Sequence, residues 1–515
     1  MAKNILIFSD GTGQRGGLFF DECRSNIYKL YRATRCGPDS IIDPAAQLTY
    51  YDPGIGSEPA GLGFFGRHWR KVYNLVSQAT GLGLTMNVID CYTAVIRMWQ
   101  PGDRIFLFGF SRGAYTVRCL GGVLALCGVP TTGADGKPVK RDDASARAIA
   151  RVAVKKVYQH VSSPKDTKHL GQRQALARWF RGRYQSEDAD PYFIGVFDTV
   201  AAISNLQAVL LLAAAVLLTG LAGGGLLGFL FRDELSHLSV MGLMGLITGV
   251  TGIGTLGALL WANVRYVCGL EGHSFWQTFH FTSPRMRFYD QELNTNVGYA
   301  RHAIALDENR AAFQRVPWGD PKEWRDTGPG NPPWVVQMCF PGNHSDVGGS
   351  YPENESRLSD IALKWMIDEA RAVPGGIKID ESVLRLYPDP WGPQHDECKR
   401  GLFRFGRKTT RAPLPGETLH PSVLARMAAK KVLHHDVMKR YRPAALRNHV
   451  IHRPYVVAGK EALRPRPWPP SEGYGEGHRP FARAVRDPRF REGAGGVPHA
   501  KSGPPVLVRT ASRKP

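Results

Sequence analysis

Ser111 stands at the centre of Gly109-Phe110-Ser111-Arg112-Gly113, a G-x-S-x-G pattern placed directly after the apolar run 105–108. A serine in that setting occupies a strained strand-to-helix turn, and glycines two residues before and after it leave room for the backbone to pass. The chemistry it points to is acyl transfer, in which the hydroxyl attacks a carbonyl once a base removes its proton and an acid orients that base. Residues 114–126 read as a helix. Its first unpaired N–H groups and positive dipole end would face an oxyanion forming beside Ser111, with the Arg112 N–H as the nearest donor.

Two further turns supply partners. Residues 192–197 form an apolar strand pattern ending in Asp198-Thr199-Val200, and residues 334–340 form another ending in Pro341-Gly342-Asn343-His344-Ser345-Asp346. Polar groups leaving the carboxyl ends of apolar strands sit on the rim where open α/β sheets keep their sites. The chain order Ser111, Asp198, His344 is that of α/β-hydrolases. Asp346 competes with Asp198 for the orienting acid, although two residues from His344 it would need an unusual turn to reach the ring. The glycine-rich turn Asp10-Gly11-Thr12-Gly13 follows the apolar run 4–8 and would wall the oxyanion hole with the N–H groups of Gly11 and Thr12. A phosphatase of the haloacid-dehalogenase kind is a poor reading of the same turn, because its nucleophilic aspartate would fall at Phe8.

The elements that must hold these residues read as an α/β-hydrolase-like, mostly parallel sheet with helices on both faces. Beyond the serine motif, the chain carries Ile7-Phe8-Ser9-Asp10-Gly11-Thr12, Tyr51-Asp52-Pro53-Gly54-Ile55-Gly56, Pro101-Gly102-Asp103 and Val196-Phe197-Asp198-Thr199-Val200. It also carries His302-Ala303-Ile304-Ala305-Leu306-Asp307-Glu308, His420-Pro421-Ser422-Val423 and Tyr441-Arg442-Pro443. On these motifs, which span roughly residues 3 to 447, the chain resembles the α/β-hydrolase domain family related to the class-one phospholipase effectors of type VI secretion. The resemblance implies a Ser111-Asp198-His344 triad acting on lipid esters, with no metal or organic cofactor. Nothing in the chain resembles a secretion-spike adaptor, so the resemblance does not extend to a toxin role. An esterase for soluble esters or thioesters, and a scaffold that keeps the fold without turnover, are the other classes open to this pattern.

Residues 208–231 and 238–264 contain no charged side chain, and each is long enough for a hydrocarbon core of about 30 Å. Gly224 with Gly228, and Gly245 with Gly249, would let two helices approach closely. The expectation is a two-helix transmembrane hairpin at 205–264, turning at Arg232, Asp233, Glu234 and His237. It would split the hydrolase body into 1–204 and 265–449. Lys155, Lys156, Arg178, Arg181, Arg183 and Arg265 flank it, so the catalytic body would face the cytoplasm of a bacterial inner membrane, with the bilayer as partner. Residues 450–515 read as a disordered, Pro/Gly-rich basic tail, with eleven Lys/Arg against four Asp/Glu from residue 464 on. The formal charge of +21 suits anionic partners, but no zinc-type, RNA-binding or helix-turn-helix signature supports nucleic acid. Eight cysteines without a C-x-x-C pair read as reduced packing residues, and the apolar run at 4–8 leads to the expectation that no signal peptide precedes the first strand.

Overall fold

Alternation of apolar side chains along a strand with both faces buried sets the architecture. In β1 (Asn4–Ser9) every residue is buried. Ile5 and Ile7 point into one core layer while Leu6 and Phe8 point into the other. The computed structural model describes residues 2–11, 23–54, 82–161, 166–200, 206–230, 240–270, 272–282, 292–399, 404 and 406–449. Among them, β1, β2 (Gln47–Asp52), β3 (Arg104–Phe110), β4 (Pro191–Phe197), β7 (Tyr299–Ala305), β8 (Val335–Phe340) and β9 (Glu417–Leu419) form one sheet in the order β2-β1-β3-β4-β7-β8-β9. Every neighbouring pair in it is parallel. Two short antiparallel ribbons stand apart: β5 (Val264–Arg265) with β6 (His280–Phe281), and β10 (Val432–His434) with β11 (Val437–Lys439).

A parallel sheet needs crossovers, and these put helices on both faces. The Leu82–Met98 and Arg112–Cys127 helices cover one face through Val88, Tyr92, Val95, Val117 and Leu120. The Asn26–Thr34 and Arg357–Ala372 helices cover the other through Ile27, Leu30, Ile361 and Met366. The strand order reverses at β1, with β2 on one side and β3 on the other. Such a reversal opens a crevice at the carboxyl ends of β1 and β3, where Asp10 and Ser111 lie.

The two uncharged runs do become helices, Leu206–Leu230 and Val240–Asn263, and they pack together through small residues. A Cβ on Gly220 would fall 2.1 Å from Thr248 Oγ1, and one on Gly224 would fall 2.5 Å from Met244 Cα. The expected transmembrane hairpin, and with it the membrane localisation and bilayer partner, is corrected here: among the described residues no helix is long and apolar enough to cross a membrane. Glycines make the close helix contact, and Thr248, Thr251 and Thr255 return their hydroxyls to carbonyls four residues back. The expected turn at Arg232, Asp233, Glu234 and His237 lies outside the described residues, as do several side chains of both helices and the basic tail.

Among the described glycines the closest approach to backbone atoms falls at the turn after β3. A Cβ on Gly113 would stand 2.0 Å from the Ser9 carbonyl oxygen, and one on Gly109 would stand 2.5 Å from that of Gly113. Gly113→Ala should therefore force β1 and the elbow helix apart and destabilise the protein by about 1–3 kcal/mol or more. Urea unfolding measures this, and a midpoint equal to that of the unsubstituted protein would contradict the packing described.

Candidate active site

The backbone at Ser111 carries the strain that its motif implies. Ser111 has φ 58 and ψ −120 between β3 and the Arg112–Cys127 helix, a conformation that costs an L-residue energy and holds its side chain at the tip of the turn. Its N–H donates to the Phe197 carbonyl at 3.1 Å, which sets the elbow against the end of β4. The side chain makes no capping hydrogen bond. Arg118, at the end of the extended serine motif, donates to the Val316 and Pro317 carbonyls and ties the elbow helix to the loop after β7.

Asp198 follows β4 with φ 36 and no exposed surface. Its Oδ2 accepts from His344 Nδ1 at 2.6 Å, while its Oδ1 accepts from an Arg411 guanidinium nitrogen at 2.7 Å and from the Ala305 N–H at 3.0 Å. Burial alone would raise its carboxyl. Arg411, the His344 hydrogen bond and the Ala305 N–H outweigh it and hold the group well below the usual carboxylate range. His344 opens a one-turn helix, His344–Gly348, capped by Asn343. Its N–H donates to Glu308 at 3.2 Å, and its ring lies 4.6 Å from Phe110 and 5.0 Å from Phe313 between centroids. Phe110 directly precedes Ser111. The imidazole therefore packs beside the elbow with Nδ1–H committed to Asp198 and Nε2 left as the basic nitrogen.

Asp346 goes elsewhere. Its carboxylate accepts from His395 Nδ1 at 2.7 Å and from the His395 and Asn343 N–H groups at 3.0 Å each, so it builds the loop under His344 instead of facing the ring. The Gly11 N–H does not stand free, because it donates to Asp10 Oδ1 at 2.7 Å. Asp10 Oδ2 in turn accepts from Ser25 and Tyr51, and burial pushes its carboxyl up to about 6 despite these bonds. Arg112 begins the elbow helix, two residues before the expected start at 114, while Thr12 lies outside the described residues. Asp307 accepts from the Gly342 N–H and from Tyr441, pinning the histidine loop from the far end of the chain.

Arg411, Glu308 and Asp10 were not picked out as site residues from the sequence. Glu308 and Asp10 lie inside motifs quoted above and could have been weighed there. Arg411 sits in no pattern and meets Asp198 only through the fold.

Arg411→Met should leave the Asp198 carboxylate buried with less compensation, a change that costs about 3–5 kcal/mol when a buried pair loses one partner. Chemical denaturation tests it. A pH test concerns Asp52, which accepts from Ser9 and Asn87 at 2.9 Å each and is pushed up to about 8 by burial. A folded-state pKa above the unfolded value means that stability is full below about 4 and is lost as pH rises through about 8. Asp52→Asn cannot ionise, so its stability should fall less than that of the unsubstituted protein between pH 5 and 9. Parallel curves would remove the assignment.

Comparison with known proteins identifies a family for this chain. The sequence pattern described as "T6SS, Phospholipase effector Tle1-like, catalytic domain" matches residues 3–223 and 243–369. An uncharacterised protein of Saccharomyces cerevisiae is 26% identical over 211 residues, covering 40% of this chain and 28% of that protein. Among solved structures, an uncharacterised protein from Pseudomonas aeruginosa is similar at 18% identity with a TM-score of 0.33, over 75% of this chain and 48% of the other. The Tle1 effector bound to the VgrG spike of the type 6 secretion system is similar at 17% identity with a TM-score of 0.27, over 70% of this chain and 53% of the other. The chain thus spans about half or less of the length of these relatives.

Proposed function

We propose, from the premise that this chain belongs to the family of Tle1-like phospholipase effector catalytic domains, that it is a serine hydrolase cleaving carboxylic ester bonds of phospholipids. The observation that carries the reading is the 2.6 Å hydrogen bond between Asp198 and His344 Nδ1, on a ring packed against the residue before Ser111. With Nδ1–H held by the carboxylate, Nε2 takes the Ser111 proton as Oγ attacks the ester carbonyl. The tetrahedral intermediate collapses by expelling the alcohol, to which His344 returns the proton. Water then attacks the acyl-serine through the same base and releases the fatty acid.

The oxyanion finds its first donor in the Arg112 N–H, at the positive end of the elbow helix. The second is the Gly11 N–H, which must exchange Asp10 Oδ1 for the substrate oxygen. Asp10 therefore acts as a placeholder, and the donor becomes available when substrate enters. The Thr12 N–H belongs to the same proposed wall. Arg411 and the Ala305 N–H keep Asp198 ionised, so that it stabilises the imidazolium formed in both steps.

Ser111→Ala and His344→Ala should each lower turnover by about 10⁴-fold or more while leaving the circular dichroism unchanged, because the members of such a unit fail together. Asp198→Asn should lose comparably, and Asp346→Asn far less. Fatty-acid release from phosphatidylcholine and phosphatidylglycerol vesicles is the measurement. Full activity in Ser111→Ala would sink the mechanism, whereas turnover of short soluble esters without any phospholipid hydrolysis would sink the substrate class alone.

A further inference from the structure

Three histidines meet at a place that no step of the proposed hydrolysis uses. His160 closes the turn Tyr158–His160, His169 closes the turn Thr167–His169, and His280 opens β6. One ring nitrogen of each lies within 4.8 Å of the others, His160 and His169 being buried and His280 half-buried. Gln172, in the first turn of the Leu170–Tyr184 helix, is the organising side chain. Its Oε1 lies 2.9 Å from His160 Nε2 and 3.0 Å from His169 Nδ1, while its Nε2 donates to the Gln277 carbonyl at 3.0 Å. That last bond fixes which end of the amide is oxygen. Both ring nitrogens facing Oε1 must then carry the proton, and the lone pairs fall on His160 Nδ1 and His169 Nε2.

His280 has a different imbalance. Its Nδ1 faces the Thr278 carbonyl at 2.9 Å and its Nε2 faces the His160 carbonyl at 2.8 Å. A neutral imidazole owns one proton, so one of these contacts sets a lone pair against an oxygen unless a positive charge resolves it. The ring also stacks on His169, 3.9 Å between centroids and 9° from parallel. Three imidazoles, two with lone pairs assigned by a shared amide and one facing more acceptors than a neutral ring has protons, thus stand with ring nitrogens within 4.8 Å of one another.

We propose that His160, His169 and His280 are the ligands of a divalent transition-metal ion of the zinc class. Imidazole donors suit zinc, cobalt, nickel and copper(II) over magnesium or calcium. The fourth position falls to water from the adjoining cleft, which is lined by Gln172, His273, Trp276 and Lys168 together with His169 and His280. Metal–nitrogen bonds of about 2.0–2.1 Å put tetrahedral ligand atoms about 3.4 Å apart, so the three nitrogens draw together on binding. Because an ion lies in the plane of each ring it binds, the parallel pair must open. His280, the most exposed of the three, is the ring that turns, exchanging a carbonyl contact for the metal. Gln172 then serves as the outer hydrogen-bond partner that metal-bound histidines require.

The site has a structural consequence. β5 and β6 follow the Val240–Asn263 helix, and Arg265 donates to the Gln159 carbonyl at 3.0 Å beside the cluster. A metal there would fasten the base of that helix to the 158–161 and 166–172 segments of the body.

The test uses the full chain without a histidine tag, stripped with chelator and titrated with cobalt(II) while the visible ligand-field bands are followed. One equivalent per chain is expected in the unsubstituted protein and none in His280→Ala, with ester hydrolysis of both intact. Gln172→Leu should bind about 10–100-fold more weakly. Zinc should raise the melting temperature of the unsubstituted protein and not that of His280→Ala. His169→Asn provides the same comparison should His280→Ala fail to fold. Absence of a stoichiometric cobalt complex, or equal binding by the unsubstituted protein and the histidine variants, would overturn the site.

Discussion

A carboxylate with no exposed surface stays ionised only if its surroundings compensate its charge, and Asp198 draws that supply from three separate parts of the chain. β4 delivers the carboxylate, Ala305 at the end of β7 gives an N–H, His344 after β8 gives a ring N–H, and Arg411 gives a guanidinium. Each contact is worth little in water, but in a buried site an unmet charge is expensive. The arrangement thus couples the register of the central strands to the tautomer of His344. A slip of β7 against β4 would move Ala305 off Asp198, and the ring would lose its orientation with it.

The same economy shows at the other half of the crevice. Gly113 lets the elbow helix touch the end of β1, and the contact brings the Asp10-Gly11 turn beside Ser111. Asp10 occupies the donor that an oxyanion would need. Both devices depend on the sheet order, because β1 and β3 are parallel neighbours whose carboxyl ends lie side by side. The histidine loop is held from a distance in a comparable way, through Asp307 and Tyr441.

Much of this was legible because its signals are local. A glycine pair around Ser111, an apolar run before Asp198 and another before His344 are patterns of a few residues, and strand ends in a parallel sheet gather on one rim. The membrane reading rested on two uncharged runs; among the described residues no helix is long and apolar enough to cross a membrane, and glycines of these runs serve the contact between the two helices. The contest between Asp198 and Asp346 stayed open because two residues of separation say little about which way a loop carboxylate turns.

The sequence by itself determined the strand-turn-helix around Ser111, the two polar strand ends and the buried character of the sheet, all of which follow from alternation, glycine placement and chain order. Tertiary structure decided what those residues meet. Asp346 was drawn to His395, and Arg411 to an acid 213 residues earlier. These are contacts between segments distant in sequence, where the strength of an interaction depends on burial and direction, and neither quantity exists until the chain has folded.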